Sequence, residues 1–149
     1  HDALPISINI GGANGTNFAV IERRRNRQAE TLNIDQFGLS TVESLISAQI
    51  MQNQYPIIAT GGIQSANDVI TSLMLGATLV SSAGFMLKTL MDDGQSALVQ
   101  QIEGWQSALP RLLTLLGAQS NQELAEKQRL YSPSLQNFIT QQKASPENR

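Results

Sequence analysis

Along the chain, short apolar runs alternate with apolar stripes at helical spacing. Ile8-Asn9-Ile10 is a brief strand-like alternation that stops at Gly11-Gly12-Ala13-Asn14-Gly15, and Thr16 to Glu22 then reads as a helix. Asn14-Gly15 between apolar segments is also a hairpin signal, so a second parse stays open there. Arg23 to Glu30 is too polar for core and reads as an exposed loop or a fraying helix end. Ser40 with Glu43 three residues on has capping-box spacing, and Val42, Leu45, Ile46, Gln49 and Ile50 follow on one face of a helix to about Met51. Pro56 to Thr60 is a nearly continuous apolar run of the kind buried parallel strands show, and it halts at Gly61-Gly62. Ser65 caps a helix with Val69, Ile70, Leu73 and Met74 on its face and Gly76 beyond its end. Ala77 to Ser82 repeats the strand, and Ala83-Gly84 opens a helix from Phe85 to Met91.

Three strand, glycine-loop, helix units in succession predict an α/β fold with a parallel sheet and right-handed crossovers. The remainder predicts helices. Ala97 to Leu116 carries Leu98, Ile102, Trp105, Leu109, Leu112, Leu113 and Leu116 in register, with Pro110 ending, kinking or restarting the helix. Trp105 reads as core. Ser120 and Glu123 form another capping-box pair at the start of a short helix to about Leu130. Residues 132–149 lose periodicity and are expected to form a mobile polar tail.

Composition narrows the function classes. A chain of 149 residues is long enough for one domain with its own core. Ten Lys and Arg against twelve Asp and Glu give a net charge of −2, so no global positive field gathers nucleic acid or anionic lipid. The absence of cysteine removes disulfides, thiolate nucleophiles and Cys-based metal sites. The one histidine is His1, which excludes triads and imidazole shuttles from the interior. No apolar run approaches the roughly 18 residues of a membrane span, so the expectation is a soluble, cytoplasmic protein. Residues 1–7 are set aside: His1-Asp2-Ala3-Leu4-Pro5-Ile6 matches the translated end of a common sequencing adapter, and Ser7 adjoins it. On that expectation the chain is the C-terminal portion of a longer protein.

The candidate chemistry lies in the glycine loops. Loops at the C-terminal ends of consecutive parallel strands aim backbone N–H groups and helix N-termini at one rim, which favours an anion such as a cofactor phosphate. Each loop alone is better explained by a tight turn than by a ligand, and only the three in register point to a ligand. Thr16 suits a ligand contact or a helix cap. Glu22, Asp68 and the arginines from 23 to 27 read as solvated rather than catalytic. From the residues alone, the expectation is the phosphate-binding half of an α/β barrel.

The segment Ile8 to Ala19 with Glu22, then Phe37-Gly38-Leu39-Ser40-Thr41, Ala59-Thr60-Gly61-Gly62-Ile63 and Leu75-Gly76-Ala77, resembles the C-terminal part of type 2 isopentenyl-diphosphate isomerases. The likeness runs from Ile8 to Tyr131. It implies strands six to eight of a TIM (β/α)8 barrel that binds FMN. It also implies NAD(P)H as reductant, Mg2+ as metal, and interconversion of isopentenyl and dimethylallyl diphosphate by an allylic proton shift with the flavin as acid and base. Carried over by position, Thr16 would contact FMN, Gly61, Gly62, Ile63 and Gln64 would form one phosphate loop, and Ala83 with Gly84 the other. Phe18 would face the substrate tail, where an aromatic wall suits a carbocation-like transition state. The resemblance further implies a homo-oligomeric parent protein.

Departures from the family pattern fall at Asn9, Gly11, Asn14, Gln64 and Gly84, where Asp, Ser, Gly, Arg and Arg are usual. Losing two arginines predicts weaker FMN binding through backbone donors alone. The family's basic substrate ligands, its metal-binding Glu and its flavin-contacting Lys precede this segment, so the chain by itself is expected to be inactive. Alternatives are another FMN-binding TIM-barrel oxidoreductase or a non-catalytic half-barrel whose free strand edges favour self-association. The active-site histidine of hydroxy-acid oxidases and the cysteine of inosine-monophosphate dehydrogenase are both missing near these loops.

Overall fold

The computed structural model describes residues 6–13, 15, 18–25, 38–49 and 54–144. The elements run β1 (Ile8–Gly11), α1 (Phe18–Arg25), α2 (Thr41–Ala48), β2 (Ile57–Thr60), α3 (Ala66–Met74), β3 (Leu79–Val80), α4 (Gly84–Leu115), α5 (Asn121–Glu126) and α6 (Pro133–Ala144). The three strands form one sheet in the order β1-β2-β3, all parallel, with Ile8 opposite Ile57 and Ile58 opposite Leu79. β1 therefore continues through a crossover, and the hairpin parse at Asn14-Gly15 is not realised. Because all three strands run in the same direction, each glycine loop leaves the same edge of the sheet. Among the described residues β1 and β3 each pair on one side only. None of the helices, among those residues, is long and apolar enough to cross a membrane.

Local signals explain where the helices begin. Ser40 accepts from the Glu43 N–H, and Glu43 accepts in turn from the Ser40 N–H at 2.8 Å and hydroxyl at 2.7 Å. Two otherwise orphaned donors are satisfied at once. Ser65 and Ser120 likewise accept from the N–H groups of Asp68 and Glu123. α3 ends in paired bonds from Gly76 N–H to Leu73 and from Ala77 N–H to Ser72, the arrangement Gly76 permits with its φ of 91°.

The core has two parts. Leu45, Ile57, Ala59, Leu75 and Ala77 are buried between α2 and the sheet, with Ile10, Val80 and Tyr131 packed on them. Ile70, Ala118 and Leu124 form the second, closed by Leu109, Leu112 and Leu113 of α4. The apolar stripe of α4 is thus half-buried at Leu109, Leu112 and Leu113, while Ile102 is 40% exposed and Leu116 36%.

One expectation stands here and three are corrected. The helices read from Phe85 to Met91 and from Ala97 to Leu116 stand as the two limbs of α4, separated at Gly94, whose φ of 87° and ψ of 176° leave the helical region. Pro110 stands inside α4 without ending it, and Leu116 caps the helix. Residues 133–144 form α6 rather than an aperiodic tail: the Ser132 hydroxyl accepts from the Leu135 N–H, and Leu135, Phe138 and Ile139 lie half-buried at helical spacing. Strand β3 has two residues, shorter than the six expected. The Glu22 carboxylate meets Arg25 at 3.3 Å on an open surface, a pair of little energetic consequence. Residues 1–5, 14, 16–17, 26–37, 50–53 and 145–149 lie outside the described residues, and with them the expected helix end at Ile50 and Met51.

The capping box carries a pH signature. Hydrogen bonds from the Ser40 hydroxyl, and then from its N–H, hold the Glu43 carboxyl below its ordinary value near 4.5. A depressed carboxyl stabilises the fold above its unfolded value and loses that contribution as pH falls through the folded one. Replacing Glu43 with Gln is expected to lower stability by under about 1 kcal/mol at pH 7. That gap should close as pH falls below the ordinary carboxyl value near 4.5, as read from urea midpoints at each pH; a gap independent of pH would refute the box as its source.

Candidate phosphate-binding site

The loops after β2 and β3 face one cavity of about 320 Å³, lined by Gly15, Thr60, Gly61, Gly62, Ile63, Gln64, Ser82, Ala83, Gly84 and Phe85. Six of these, Gly61, Gly62, Ile63, Gln64, Ala83 and Gly84, are the residues that the sequence singled out beside Thr16. Thr16 itself lies outside the described residues, as does the side chain of Phe18, whose backbone starts α1. Gly15, from the first of the glycine loops read in the sequence, completes the lining with Thr60, Ser82 and Phe85; nothing local singled out Ser82 and Phe85, whose contacts with Ile63 and Trp105 reach across about 20 residues.

Tight backbone approach holds the first loop in place. Gly61 and Gly62 adopt φ of 84° and 76°, in the left-handed region where only glycine is unstrained. A Cβ on Gly61 would meet the Gly15 nitrogen at 3.0 Å, so the β1 loop lies directly against the β2 loop. The Thr41 hydroxyl at the start of α2 donates to the Gly61 carbonyl at 2.7 Å, and Ala13 N–H donates to Leu39 at 2.7 Å. The Gly11-Gly12-Ala13 and Gly38-Leu39-Ser40-Thr41 motifs, distant in sequence, are thereby brought together behind the loop. The Ser82 hydroxyl donates to the Ile63 carbonyl at 2.7 Å, which joins the β3 loop to the β2 loop.

Electrostatics in the cavity come from the backbone. None of the lining side chains is ionisable. The four helices whose starts can be compared differ in one respect. α2, α3 and α5 are capped by Ser40, Ser65 and Ser120, whereas α4 begins at Ala83 and Gly84 with no side-chain cap. Its first N–H groups and the positive end of its dipole are directed at the cavity rim, a setting that favours an anion. The α3 terminus is otherwise engaged. Asp68 accepts from the Gln64 N–H at 3.0 Å and the Ser65 hydroxyl at 2.8 Å, so the Gln64 N–H is already engaged and its exposed side chain is the part left open at the cavity. Asp68, read in the sequence as solvated, instead closes the turn that starts α3. Among the described residues no group of three or more His, Asp or Glu side chains forms a metal-sized cluster.

A family model described as FMN-dependent dehydrogenase matches residues 34–131. The isopentenyl-diphosphate delta-isomerase of Lactococcus lactis is 49% identical over 136 residues, covering 91% of this chain and 39% of that protein. The enzyme of the same name from Moorella thermoacetica is 42% identical, covering 80% of this chain and 34% of its own length. The chain spans about two fifths of the length of these curated relatives. A flavocytochrome b2 mutant solved with benzoylformate shares the fold at a TM-score of 0.55 and 22% identity, over 88% of this chain and 39% of its own. The resemblance read from Ile8 to Tyr131 is borne out by these relatives, and the α/β architecture agrees with a flavin-binding barrel. By its match along residues 34–131, the chain belongs to the FMN-dependent dehydrogenase family.

Proposed function

We propose that this chain supplies strands six to eight and the cofactor-phosphate side of an FMN-dependent isopentenyl-diphosphate isomerase. The observation that carries the reading is the shared cavity. Two glycine loops and an uncapped helix start converge on a space free of ionisable side chains. The site fits a phosphate: N–H groups at Gly84 and Phe85 would hold its oxygens, and the left-handed Gly61 and Gly62 keep the opposite wall thin. The flavin, when bound, supplies the acid and base chemistry of the allylic proton shift. This chain's own residues bind and orient. Thr16 would contact the cofactor beside Gly15, Ser82 fixes the spacing of the two loops, and Phe18 would wall the hydrocarbon tail of isopentenyl or dimethylallyl diphosphate.

NAD(P)H and Mg2+ belong to the same reading, with the metal ligand contributed from outside this chain. The outer edges of β1 and β3 are where the remaining barrel strands would pair, and a cytoplasmic homo-oligomer fits the assembled enzyme. The chain alone lacks the substrate ligands and is expected to be inactive.

The test grafts this chain onto the Lactococcus lactis relative in place of that protein's matching segment. With reduced FMN, the chimera is expected to convert isopentenyl to dimethylallyl diphosphate, followed by loss of the substrate's exocyclic methylene proton signals. A chimera that folds and holds FMN yet leaves the substrate untouched would rule out the isomerase reading and favour another flavin chemistry.

A further inference from the structure

Phe85 serves two surfaces. One side of it lines the phosphate-facing cavity, and its ring stacks on Trp105 with centroids 6.1 Å apart and planes 4° from parallel. The two residues belong to the two limbs of α4, which fold past each other because Gly94 breaks the helix between them. Trp105 also lines a second cavity of about 220 Å³ with Ile63, Val80, Ser82 and Met86. Ile63 and Ser82 are walls of both cavities, so Trp105 stands directly behind the two loops. The first turn of α4 has no side-chain cap to steady it. The stack on Phe85 ties this turn to the second limb of α4, beside Met86, which shares the second cavity with Trp105.

We propose that Trp105 is a positioning residue for the phosphate-holding turn: through Phe85 it fixes the first N–H groups of α4 at the cavity rim. The inference rests on the FMN reading above. Its signature is selective, because a group that aligns phosphate donors matters to a flavin carrying a phosphate and not to one without it. FMN and riboflavin differ by that group alone.

The test titrates the whole chain with FMN and with riboflavin, following quenching of flavin fluorescence. Trp105→Leu is expected to lower the FMN-to-riboflavin affinity ratio about three- to tenfold, the range of a lost aromatic pair converted to binding. Trp105→Phe keeps a stacking ring and is expected to hold the ratio near that of the parent chain. A ratio unchanged in Trp105→Leu, or equal weakening of both ligands, would overturn the proposal and leave Trp105 a packing residue. Should Trp105→Leu show no cooperative melt, Trp105→Met fills the space without a ring and is judged by the same ratio. A parent chain that binds FMN no better than riboflavin would instead overturn the functional reading, and this inference with it.

Discussion

Replacing Gly12 with Ala is expected to cost about 3 kcal/mol or more, the upper range for overpacking, and to be among the most destabilising single-methyl additions in this chain. A Cβ there would lie 2.2 Å from the Thr41 nitrogen, 2.5 Å from the Ser40 carbonyl carbon and 2.6 Å from the Thr41 Cα. All three are backbone atoms, so no side-chain rotation relieves the clash. Nor can α2 retreat freely. Its start is fixed by the Ser40 and Glu43 box and by the Thr41 hydroxyl on Gly61, and behind it Leu45 is only 1% exposed. Moving α2 therefore opens the main core and displaces the β2 loop together. Gly104→Ala is the control. Gly104 is an exposed glycine within α4 whose added Cβ meets nothing within 4 Å, and the same methyl should stabilise by about 0.5–1 kcal/mol through helix propensity. Urea midpoints of the two variants should move in opposite directions. A Gly12→Ala loss below about 1 kcal/mol would show that β1 and α2 are less closely joined than described.

What the sequence made legible is what it encodes locally. Ser40 with Glu43, Ser65 with Asp68, and Gly76 are signals within one turn of the helix ends they set, and all three act where expected. The loops Gly61 to Gln64 and Ala83-Gly84 were legible for the same reason, since strand followed by glycine followed by helix is a contiguous pattern. Long-range events were not. Nothing near Ser82 announces its bond to Ile63, 19 residues away, and nothing near Phe85 announces Trp105. The break at Gly94 falls in the gap left between the helices read to Met91 and from Ala97, while the folding of the second limb back on the first had no local signal. Pro110 points the other way: a residue that usually stops helices is carried by packing of Leu109, Leu112 and Leu113 on the second core. In α6 the stripe Leu135, Phe138 and Ile139 is brief, and the surrounding Gln and Asn obscured it.

Gly84→Asp is expected to leave the fold intact while weakening FMN binding at least about tenfold, which separates the two roles of the α4 start. Gly84 is the first residue of α4, and a Cβ there meets nothing within 4 Å, so the substitution carries no steric cost. A carboxylate in an uncapped first turn interacts favourably with the helix dipole, and stability should hold or rise by about 0.3–1 kcal/mol. The same carboxylate stands at the rim of a cavity with no ionisable lining, where it would repel a phosphate and compete for the N–H groups meant to hold it. Gly84→Arg reverses both signs. It restores the residue usual in the isomerase family, adds a forked donor for phosphate, and opposes the dipole. FMN affinity should therefore rise while the thermal midpoint holds or falls. Stability and affinity moving in opposite directions in both variants is an outcome that general damage to the fold cannot produce. If Gly84→Asp folds and binds FMN as tightly as the parent chain, the phosphate does not sit at the α4 terminus, and the converging glycine loops are turns and nothing more.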